Sequence, residues 1–286
     1  MNQKNLSALL TLLKDPDEDA FQDIVNSLTL DEEIISTLEN LWQQADDQLA
    51  ISRLDWMIGR ARLNKLTKQF SDWQKKSGGV LEGAWLVARY QYPELQFEEI
   101  DNFVSDIAKR VWLELHDKMT PHEQVTAINK VLFGKYGMKS DKISRASIDN
   151  MLINNVLDNG KANHLGMLIL YLAIAQKLFL PLYIVTLFRA LRIAYVDDST
   201  DSINAGNILF YIEPFERGLI FNHDIAKLTI TTQGVPFNPI YIQICTDEII
   251  IRGLMYEVQH LYYEMKQNSK VEDMNELIES FSKFDV

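Results

Sequence analysis

A long apolar run in the second half of the chain limits the folds that this sequence can adopt. The run Leu165–Phe188 is interrupted by Gln176, Lys177 and Pro181. Its first segment is about a dozen residues long, which is short of the roughly 20 residues that a membrane-spanning helix needs. We therefore predict a helix in the core of the protein, followed by a strand that is also in the core.

Segments rich in β-forming residues follow this apolar helix. They read "LYIVTLF", "LRIAYVD", "ILFYIEPF" and "IYIQICTDEIII", and their Ile, Tyr, Val and Phe content predicts strands that pack on the helix. The flanking sequence predicts helices at about 149–157, 164–178 and 248–284. The last of these contains "YEVQHLYYEMK", an amphipathic pattern that indicates a cover for the sheet.

The first part of the chain has helical periodicity and a weak internal repeat. The segments that begin at Asp17 and Asp47 align, and each has Asp at a predicted N-cap with apolar residues at i, i+4 and i+8. Paired helices of this kind are typical of stacked helical repeats. We predict a HEAT-like helical module over residues 1–76, with an ordinary helical bundle and chance similarity as the alternative.

A second helical segment is predicted over residues 80–145. Ser77–Gly79 form a loop before it, and the segment contains helices at about 81–90 and 97–115. Thr120, Pro121 and Glu123 form a capping box with proline at the first helical position, so a third helix starts there and stops near Gly134–Gly137. A mixed core of helix and strand is predicted over residues 146–286.

The charge and the cysteine content exclude several classes of protein. The formal net charge of −12 disfavours nucleic acid as a partner, since phosphate binding needs clustered Lys and Arg. The single cysteine, Cys245, cannot form an internal disulfide, and the sequence has no spacing typical of zinc ligands. We expect a cytoplasmic protein with no membrane segment, no signal peptide, no metal and no cofactor.

The order of several motifs resembles that of the bacterial SirB family. These motifs are "LEGAWLVARYQYPEL", "AINKVLFGKYGM", "NNVLDNGKANHLGMLILYLAIAQKLFLPLYIVTL", "FYIEPFERGLIF" and "IRGLMYEVQHLYY". The resemblance covers about residues 81–263. It implies an α+β, largely helical fold, in which a helical segment precedes a transglutaminase-like, papain-type core. In that core the helix from about His164 packs against an antiparallel sheet.

The resemblance also implies a catalytic set that this chain lacks. Such chemistry needs a nucleophile at the helix N-terminus, a histidine as base and a carboxylate or amide that orients the histidine. By the family's pattern, the nucleophile position falls on Gly166, the histidine position on Ala190 and the carboxylate position on Glu213. Only the carboxylate remains, so we predict a vestigial cleft and no enzymatic activity.

Further residues near this cleft have two readings each. His164 lies beside the predicted nucleophile position. We expect it to cap the helix or to line the cleft, and the alternative is a role as a base or a ligand. Arg189 and Arg192 flank Ala190, and with Glu213 they would form either a structural ion-pair network, which we favour, or a pocket that recognises an anion.

Histidine, cysteine and tryptophan elsewhere in the chain are predicted to be structural. Cys245 is expected to be buried and unreactive, and His260 is expected to lie in the core. The remaining histidines, His116, His122 and His223, are expected to be solvated. Most of the five tryptophans are expected in the core, although one or two uncovered on the helical half would mark a binding face.

Three hypotheses for the function follow from these residues. The first is a non-catalytic transglutaminase-like protein that binds a protein or peptide partner, with a regulatory effect. The second is a small-molecule binder whose Arg189 or Arg192 takes an anion. The third is an acyl transferase or hydrolase with relocated residues such as Cys245, His164 and Glu213. The sequence leaves the oligomeric state, the partner and the pathway open.

Overall fold

The computed structural model describes residues 3–142, 147–197 and 205–282. By their internal contacts, residues up to Asp72 form one compact unit and Trp73–Ser282 form a second. The division falls within a helix that begins at Gln48 and ends at Lys75. The predicted boundaries at residues 76, 80 and 146 stay predictions.

The described residues contain twelve α-helices, which we number α1 to α12 in chain order. The helices are Gln3–Leu13, Glu18–Ser27, Glu32–Gln44, Gln48–Lys75, Val80–Gln91, Phe97–Trp112, Pro121–Asn129, Ile153–Asn159, His164–Lys177, His223–Thr231, Asp247–Glu264 and Asn268–Ser282.

The same residues contain seven strands, β1 to β7. The strands are Lys139–Ser140, Lys161–Ala162, Leu182–Leu187, Ala190–Val196, Ile208–Glu213, Leu219–Phe221 and Ile242–Ile244. Strands β1 and β2 form a short parallel pair. The other five form an antiparallel sheet in the order β6-β5-β4-β3-β7.

The first unit is built from helices α1 to α3 and most of α4. Asp17 and Asp31 cap α2 and α3, and Asp47 accepts hydrogen bonds from the backbone N–H groups of Leu49 and Ala50 at the start of α4. The two aspartates that the repeat pattern singled out, Asp17 and Asp47, therefore do sit at helix N-termini. The helical prediction for this region is confirmed, and the repeat relationship stays a prediction.

A buried arginine holds the turn between α1 and α2. The guanidinium of Arg53 donates to the backbone oxygens of Leu13, Asp15 and Asp17, and it also pairs with Glu18 at 3.1 Å. Arg53 is buried, and a buried charge requires such partners. The bond to Leu13 satisfies a carbonyl group at the C-terminal end of α1 that the helix itself leaves unpaired.

Helix α9 is the core of the second unit. Every residue from Leu165 to Ala175 is buried. The helix contacts α5, α6 and α8 and also strands β3 and β4, so it lies between a helical layer and the sheet. An apolar surface on all sides is what a fully enclosed helix requires. The predictions of a core helix at 164–178 and of an antiparallel sheet on it are confirmed.

The remaining predicted helices are present, but their ends and their continuity differ from the prediction. The capping box at Thr120 is present, but the helix turns into a π-helical segment, Lys130–Lys135, before Gly137 at φ +65°. Helix α6 ends at Trp112 rather than near residue 115. The predicted helix at 149–157 is a 3₁₀ turn followed by α8, and the predicted helix at 248–284 is broken at Lys266, which has φ +58°.

The strand prediction for "IYIQICTDEIII" is wrong for its second half. Only Ile242–Ile244 form a strand, and Asp247 begins α11. The hydroxyl of Thr246 accepts a hydrogen bond from Ile249 N at 3.3 Å, which makes Thr246 the N-cap of a helix whose apolar residues mimic a strand pattern. Strand β6 and helix α10 were not predicted.

Two predictions about aromatic and histidine side chains are also wrong. Three of the five tryptophans, Trp42, Trp56 and Trp112, are exposed, and Trp73 is fully buried. His260 is exposed on α11 rather than in the core. His116, His122 and His223 are exposed, as predicted. None of the described helices is long and apolar enough to cross a membrane.

The turn after α4 depends on a close contact between a glycine and a tryptophan. Trp73 is buried against Phe281, and its indole N–H donates to the backbone oxygen of Gly79 at 3.1 Å. A Cβ atom on Gly78 would lie 2.1 Å from the Trp73 ring. Only a residue without a side chain lets the backbone approach the indole so closely.

We predict that Gly78→Ala lowers the free energy of unfolding by about 1–3 kcal/mol, because the added methyl group displaces a buried ring. Gly253→Ala is the matched control, since a Cβ atom there, in the interior of α11, meets nothing within 4 Å. It should raise the free energy of unfolding by about 0.5–1 kcal/mol through helix propensity. Urea unfolding followed by circular dichroism measures both. Equal effects of the two changes would contradict the proposed contact.

Candidate functional site

An open cleft of about 730 Å³ lies where α9 and β4 begin and where β5 ends. Its walls come from α9, β3, β4, β5, β6, α10 and α11. The residues that line it are His164, Leu187, Arg189, Ala190, Leu191, Arg192, Glu213, Phe215, Glu216, Leu219, Phe221, Ile225, Thr229 and Glu257.

The first residue of α9, His164, brings the helix N-terminus to the cleft. Asn163 is the N-cap, and its side-chain oxygen accepts a hydrogen bond from Gly166 N at 2.7 Å. This bond satisfies one of the free backbone donors of the first turn and fixes where the helix starts. The imidazole of His164 is partly exposed, with 37% of the side chain accessible.

Three side chains from three elements meet at this point. The Nε2 atom of His164 lies 3.3 Å from Glu213 Oε1, and Arg192 Nε lies 2.8 Å from Glu213 Oε2. The Nη1 atom of Arg192 also lies 3.3 Å from His164 Nε2. We call His164, Arg192 and Glu213 the cleft triad.

The sheet register explains why Arg192 and Glu213 are neighbours. They lie one residue beyond the cross-strand pair Ile193–Ile212, so they are opposed on β4 and β5. Arg192 Nη1 also donates to the backbone oxygen of Leu191 at 2.6 Å. Glu213 Oε1 accepts from Phe215 N at 3.1 Å, across the turn that follows β5. Both side chains are therefore held from two directions.

Glu213 is a buried carboxylate that stays ionised. Burial by itself raises the pKa of Glu213, but the hydrogen bond with His164 and the charges of Arg192 and His164 outweigh it and hold that pKa below its usual value. Only 10% of the Glu213 side chain is accessible. A charge at this depth needs its paired cations and hydrogen bonds to remain in place.

The contacts of His164 leave one ring nitrogen uncommitted. When Nε2 carries a proton it donates to Glu213, and it cannot then accept a hydrogen bond from Arg192. The other nitrogen, Nδ1, makes no hydrogen bond within residues 3–142, 147–197 and 205–282. The triad thus holds the ring through Nε2.

The rest of the cleft has an apolar wall and a charged rim. Leu219, Phe221 and Ile225 form part of the apolar wall, and Leu219 and Ile225 are 58% and 48% exposed. On the rim, Glu257 is exposed at the surface, and partial loss of the water around it raises its pKa, although the charges of His164 and His260 act against that rise.

Arg189 projects from the tight turn between β3 and β4. It is exposed and lies over the ring of Phe188 at 5.2 Å. Phe188 itself has φ +60°, and its ring packs edge-on against Tyr241. Arg189 does not join the predicted network with Glu213, whereas Arg192 does.

The structure brings together five of the six residues predicted for a vestigial cleft. His164, Arg189, Ala190, Arg192 and Glu213 all line it. The sixth, Gly166, does not line the cleft: it is buried, and a Cβ atom there would meet Asn163 Oδ1, the backbone oxygen of Asn150 and Val156 at 3.1–3.3 Å. In the first turn of α9 it is His164 that faces the strands.

The sequence reasoning missed the residues that strand β6 and helices α10 and α11 contribute. Leu219, Ile225, Thr229 and Glu257 line the cleft but were not predicted. A signal for α10 was present, since Asn222 is an N-cap whose side chain accepts from Ile225 N at 3.0 Å. Ile225 and Thr229, four residues apart, lie on one face of that helix.

Cys245 is buried, as predicted, with 7% of its surface accessible, and burial raises the pKa of its thiol. It does not line the cleft. Among the described residues there is no group of three or more His, Cys, Asp or Glu side chains that could hold a metal ion.

We predict that a thiol placed at residue 164 reacts far faster than one placed at residue 166. In His164→Cys the thiol lies on the cleft at a helix N-terminus, where the dipole favours the thiolate. In Gly166→Cys the thiol is enclosed by Asn163, Asn150 and Val156. Iodoacetamide labelling of the folded proteins, read by mass spectrometry, should differ by at least about tenfold.

The wild-type protein is the blank for this comparison, because its one thiol is buried. Faster labelling at residue 166 than at residue 164 would show that the first turn of α9 faces the cleft differently from the structure.

A second prediction concerns the buried carboxylate. Glu213→Gln should lower the free energy of unfolding by about 1–3 kcal/mol at pH 7, because it leaves Arg192 without its counter-charge. The pKa of Glu213 is lowered in the folded protein, so its contribution is present above the ordinary glutamate pKa of about 4.3 and is lost as the pH falls below it. The difference between mutant and wild type should shrink accordingly.

Urea unfolding at pH 7 and near pH 4 measures this difference. Glu216→Gln is the matched control, since Glu216 also lines the cleft but pairs with Lys142 at the exposed surface. Exposed pairs contribute little, so we expect no measurable change at either pH. A Glu213→Gln effect that does not depend on pH would contradict the ionised state assigned to Glu213.

One comparison with known proteins assigns the family. The family model described as the transglutaminase-like superfamily matches residues 98–255, which is more than half of the chain. The match begins in α6, well before residue 146, and it ends in α11. No curated protein and no solved structure gives a significant match. The chain belongs to the transglutaminase-like superfamily.

Proposed function

We propose that this protein is a non-catalytic member of its superfamily and that its cleft binds an extended segment of a protein partner. The observation that carries the proposal is the cleft triad. At the N-terminus of the core helix, where acyl transfer would require a thiol or hydroxyl, the chain places the imidazole of His164, held by Glu213. We also reassign the nucleophile position from Gly166 to His164.

Acyl transfer through an enzyme-bound intermediate needs a nucleophile and a base within hydrogen-bond reach of each other. No cysteine or serine lines the cleft in the described part of the chain. Its hydroxyl-bearing residue, Thr229, donates to the backbone oxygen of Ile225 at 2.8 Å. The histidine position is Ala190, and Arg192 is paired with Glu213. These features support a binding role rather than catalysis.

A peptide fits the chemistry of the walls better than a small polar ligand does. The cleft is open, its lining includes the apolar side chains of Leu219, Phe221 and Ile225, and it also offers hydrogen-bonding groups at His164 and Arg189. An extended chain presents side chains and backbone amides at alternating positions, which matches an apolar wall beside a polar one.

A small anionic ligand is the second candidate. The observation in its favour is Arg189, whose guanidinium is exposed on the rim and makes no ion pair with a described carboxylate. Arg192 is less suited to bind an anion, since Glu213 already neutralises it.

We propose two further properties. The order of the motifs between about residues 81 and 263 supports membership of the SirB family. The single, buried cysteine supports a reducing compartment such as the cytoplasm.

The experiment selects peptides from a phage-displayed library on the immobilised protein and measures their binding in solution by fluorescence anisotropy. We predict that Ile225→Glu weakens binding at least about tenfold, because it places a charge on the apolar wall. Leu228→Glu is the matched control, since Leu228 is similarly exposed on the same helix but does not line the cleft.

Equal loss of binding in both variants would show that the peptides bind outside the cleft and would contradict the proposal. The same protein preparations are assayed with a glutaminyl peptide and hydroxylamine. Turnover that disappears in Glu213→Gln would defeat the non-catalytic assignment. If inorganic phosphate raises the melting temperature and Arg189→Ala removes that shift, the second candidate is the correct one.

A further inference from the structure

A small pocket apart from the cleft lies where the parallel pair β1–β2 meets the end of the π-helical segment. It has a volume of about 300 Å³, and its lining includes Phe103, Tyr136, Gly137, Lys139, Gly160 and Lys161. It shares no lining residue with the cleft. We call it the lysine pocket.

The two lysines are direct neighbours on the paired strands. Lys139 on β1 is the register partner of Lys161 on β2, so their Cα atoms lie about 5 Å apart, and both side chains line the pocket. Both are exposed, and neither forms an ion pair within residues 3–142, 147–197 and 205–282. Like charges in directly opposed positions are destabilising. Two unneutralised ammonium groups therefore lie side by side in a chain of net charge −12.

Tight reversals of the backbone bring the two lysines to one point. Before β1, the π-helical segment Lys130–Lys135 closes with a bond from Tyr136 N to Val131 O at 3.0 Å, and Gly137 follows at φ +65°. Before β2, helix α8 ends at Gly160, which has φ +61°. Glycine adopts this left-handed conformation without steric cost. The π-helical turn is a rare conformation that occurs mostly at functional sites.

We propose that the lysine pocket binds the phosphate group of a small phosphate monoester. Such a group carries close to two negative charges at pH 7, which matches two ammonium groups, whereas a carboxylate carries only one. Lysine binds phosphate as a point charge and needs no fixed fork geometry. The volume of the pocket lies at the lower end of the range for small-molecule sites, which is about 300–1,000 Å³.

The helix ends beside the pocket account for one of the lysines at most. Lys161 follows the C-terminus of α8, where the helix dipole stabilises a cation. The π-helical segment already has Lys135 in its last turn, so its C-terminus does not explain Lys139. A dianion bound by both lysines would replace their mutual repulsion with two attractive contacts.

The pocket also offers an aromatic surface for the rest of the ligand. The rings of Phe103 and Tyr136 contact each other at 6.0 Å between centroids, and Phe103 is 39% exposed. The hydroxyl of Tyr136 donates to Asp106, and Arg110 lies over the Tyr136 ring, so this ring is held in place. Nucleotide bases stack on such rings. A nucleoside monophosphate therefore fits the pocket better than inorganic phosphate does.

One carboxylate, Asp158, also lines the pocket. It is exposed on α8 and forms no ion pair with either lysine. Its negative charge repels a phosphate group, so it lowers the affinity of the pocket for such a ligand. Its removal should strengthen binding, which gives the proposal a test in the opposite direction from the removal of a lysine.

The test is isothermal titration calorimetry of the full-length protein with adenosine monophosphate (AMP), inorganic phosphate and adenosine at constant low ionic strength. We expect AMP to bind at least about tenfold more tightly than inorganic phosphate, because its base stacks on the aromatic pair. Adenosine should give no measurable binding. Phe103→Ala should reduce the affinity for AMP to that for inorganic phosphate and leave the latter unchanged.

Substitutions of the charged residues test the phosphate contact itself. Lys139→Gln and Lys161→Gln should each weaken AMP binding at least about tenfold. Asp158→Asn should strengthen it about two- to fivefold, which a damaged protein would not show. Lys118→Gln is the matched control, since Lys118 is also exposed but does not line the pocket. It should leave the affinity unchanged.

A protein that binds no AMP at millimolar concentration overturns the proposal, and so does binding that neither lysine substitution weakens. Phosphate binding that is lost in Arg189→Ala but kept in Lys161→Gln would place the phosphate in the cleft and not in this pocket. A phosphoserine peptide that binds through Lys139 and Lys161, where AMP does not, would assign the pocket to a phosphorylated protein and overturn the small ligand.

Discussion

The burial of α9 is the constraint on which the second unit depends. A helix that is apolar on all sides has to be enclosed by two layers, and α5, α6 and α8 supply one while β3 and β4 supply the other. The two layers therefore cover the helix only from its second residue onward, and its polar first residue, His164, lies at their edge. The cleft opens there, because α9 begins at His164 beside the start of β4 and the end of β5.

The cleft triad is better understood as a device that fixes geometry than as a source of stability. Charged side chains that are removed from water lose hydration energy, and the attraction between them recovers only part of that loss. Apolar side chains of the same shape at these positions would therefore often give a protein of equal stability. The triad instead holds three side chains from α9, β4 and β5 in one arrangement, with Glu213 accepting from the backbone as well. We interpret this rigidity as preorganisation of a binding surface.

Sequence reasoning predicted the parts of the structure that rest on strong local patterns. The enclosed helix at 164–178, the capping box at Thr120 and the clustering of Arg192 with Glu213 all follow from apolar periodicity, cap chemistry or complementary charge. It failed where two patterns compete. The apolar run after Thr246 has strand-like composition, and only the cap decides that it is helical.

The position of Gly166 shows a different limit. A family pattern assigns residues to roles, but a shift of two residues along a helix turns a side chain by about 200°. The structure places His164 on the cleft and Gly166 against Asn163 and Val156. Residues on β6 and α10 were missed because elements of three and nine residues carry few residues from which a period can be recognised.

The strand order of the large sheet has a consequence for how the protein folds. Strands β3 to β6 follow one another along the chain and pair in that same order, so each pairing closes a short loop, whereas β7 must return to β3 from beyond α10. Pairings between near neighbours in sequence lose less chain entropy before they form. We therefore expect the β3–β6 meander, with Arg192 and Glu213 already opposed, to form early, and β7 to add as a late edge.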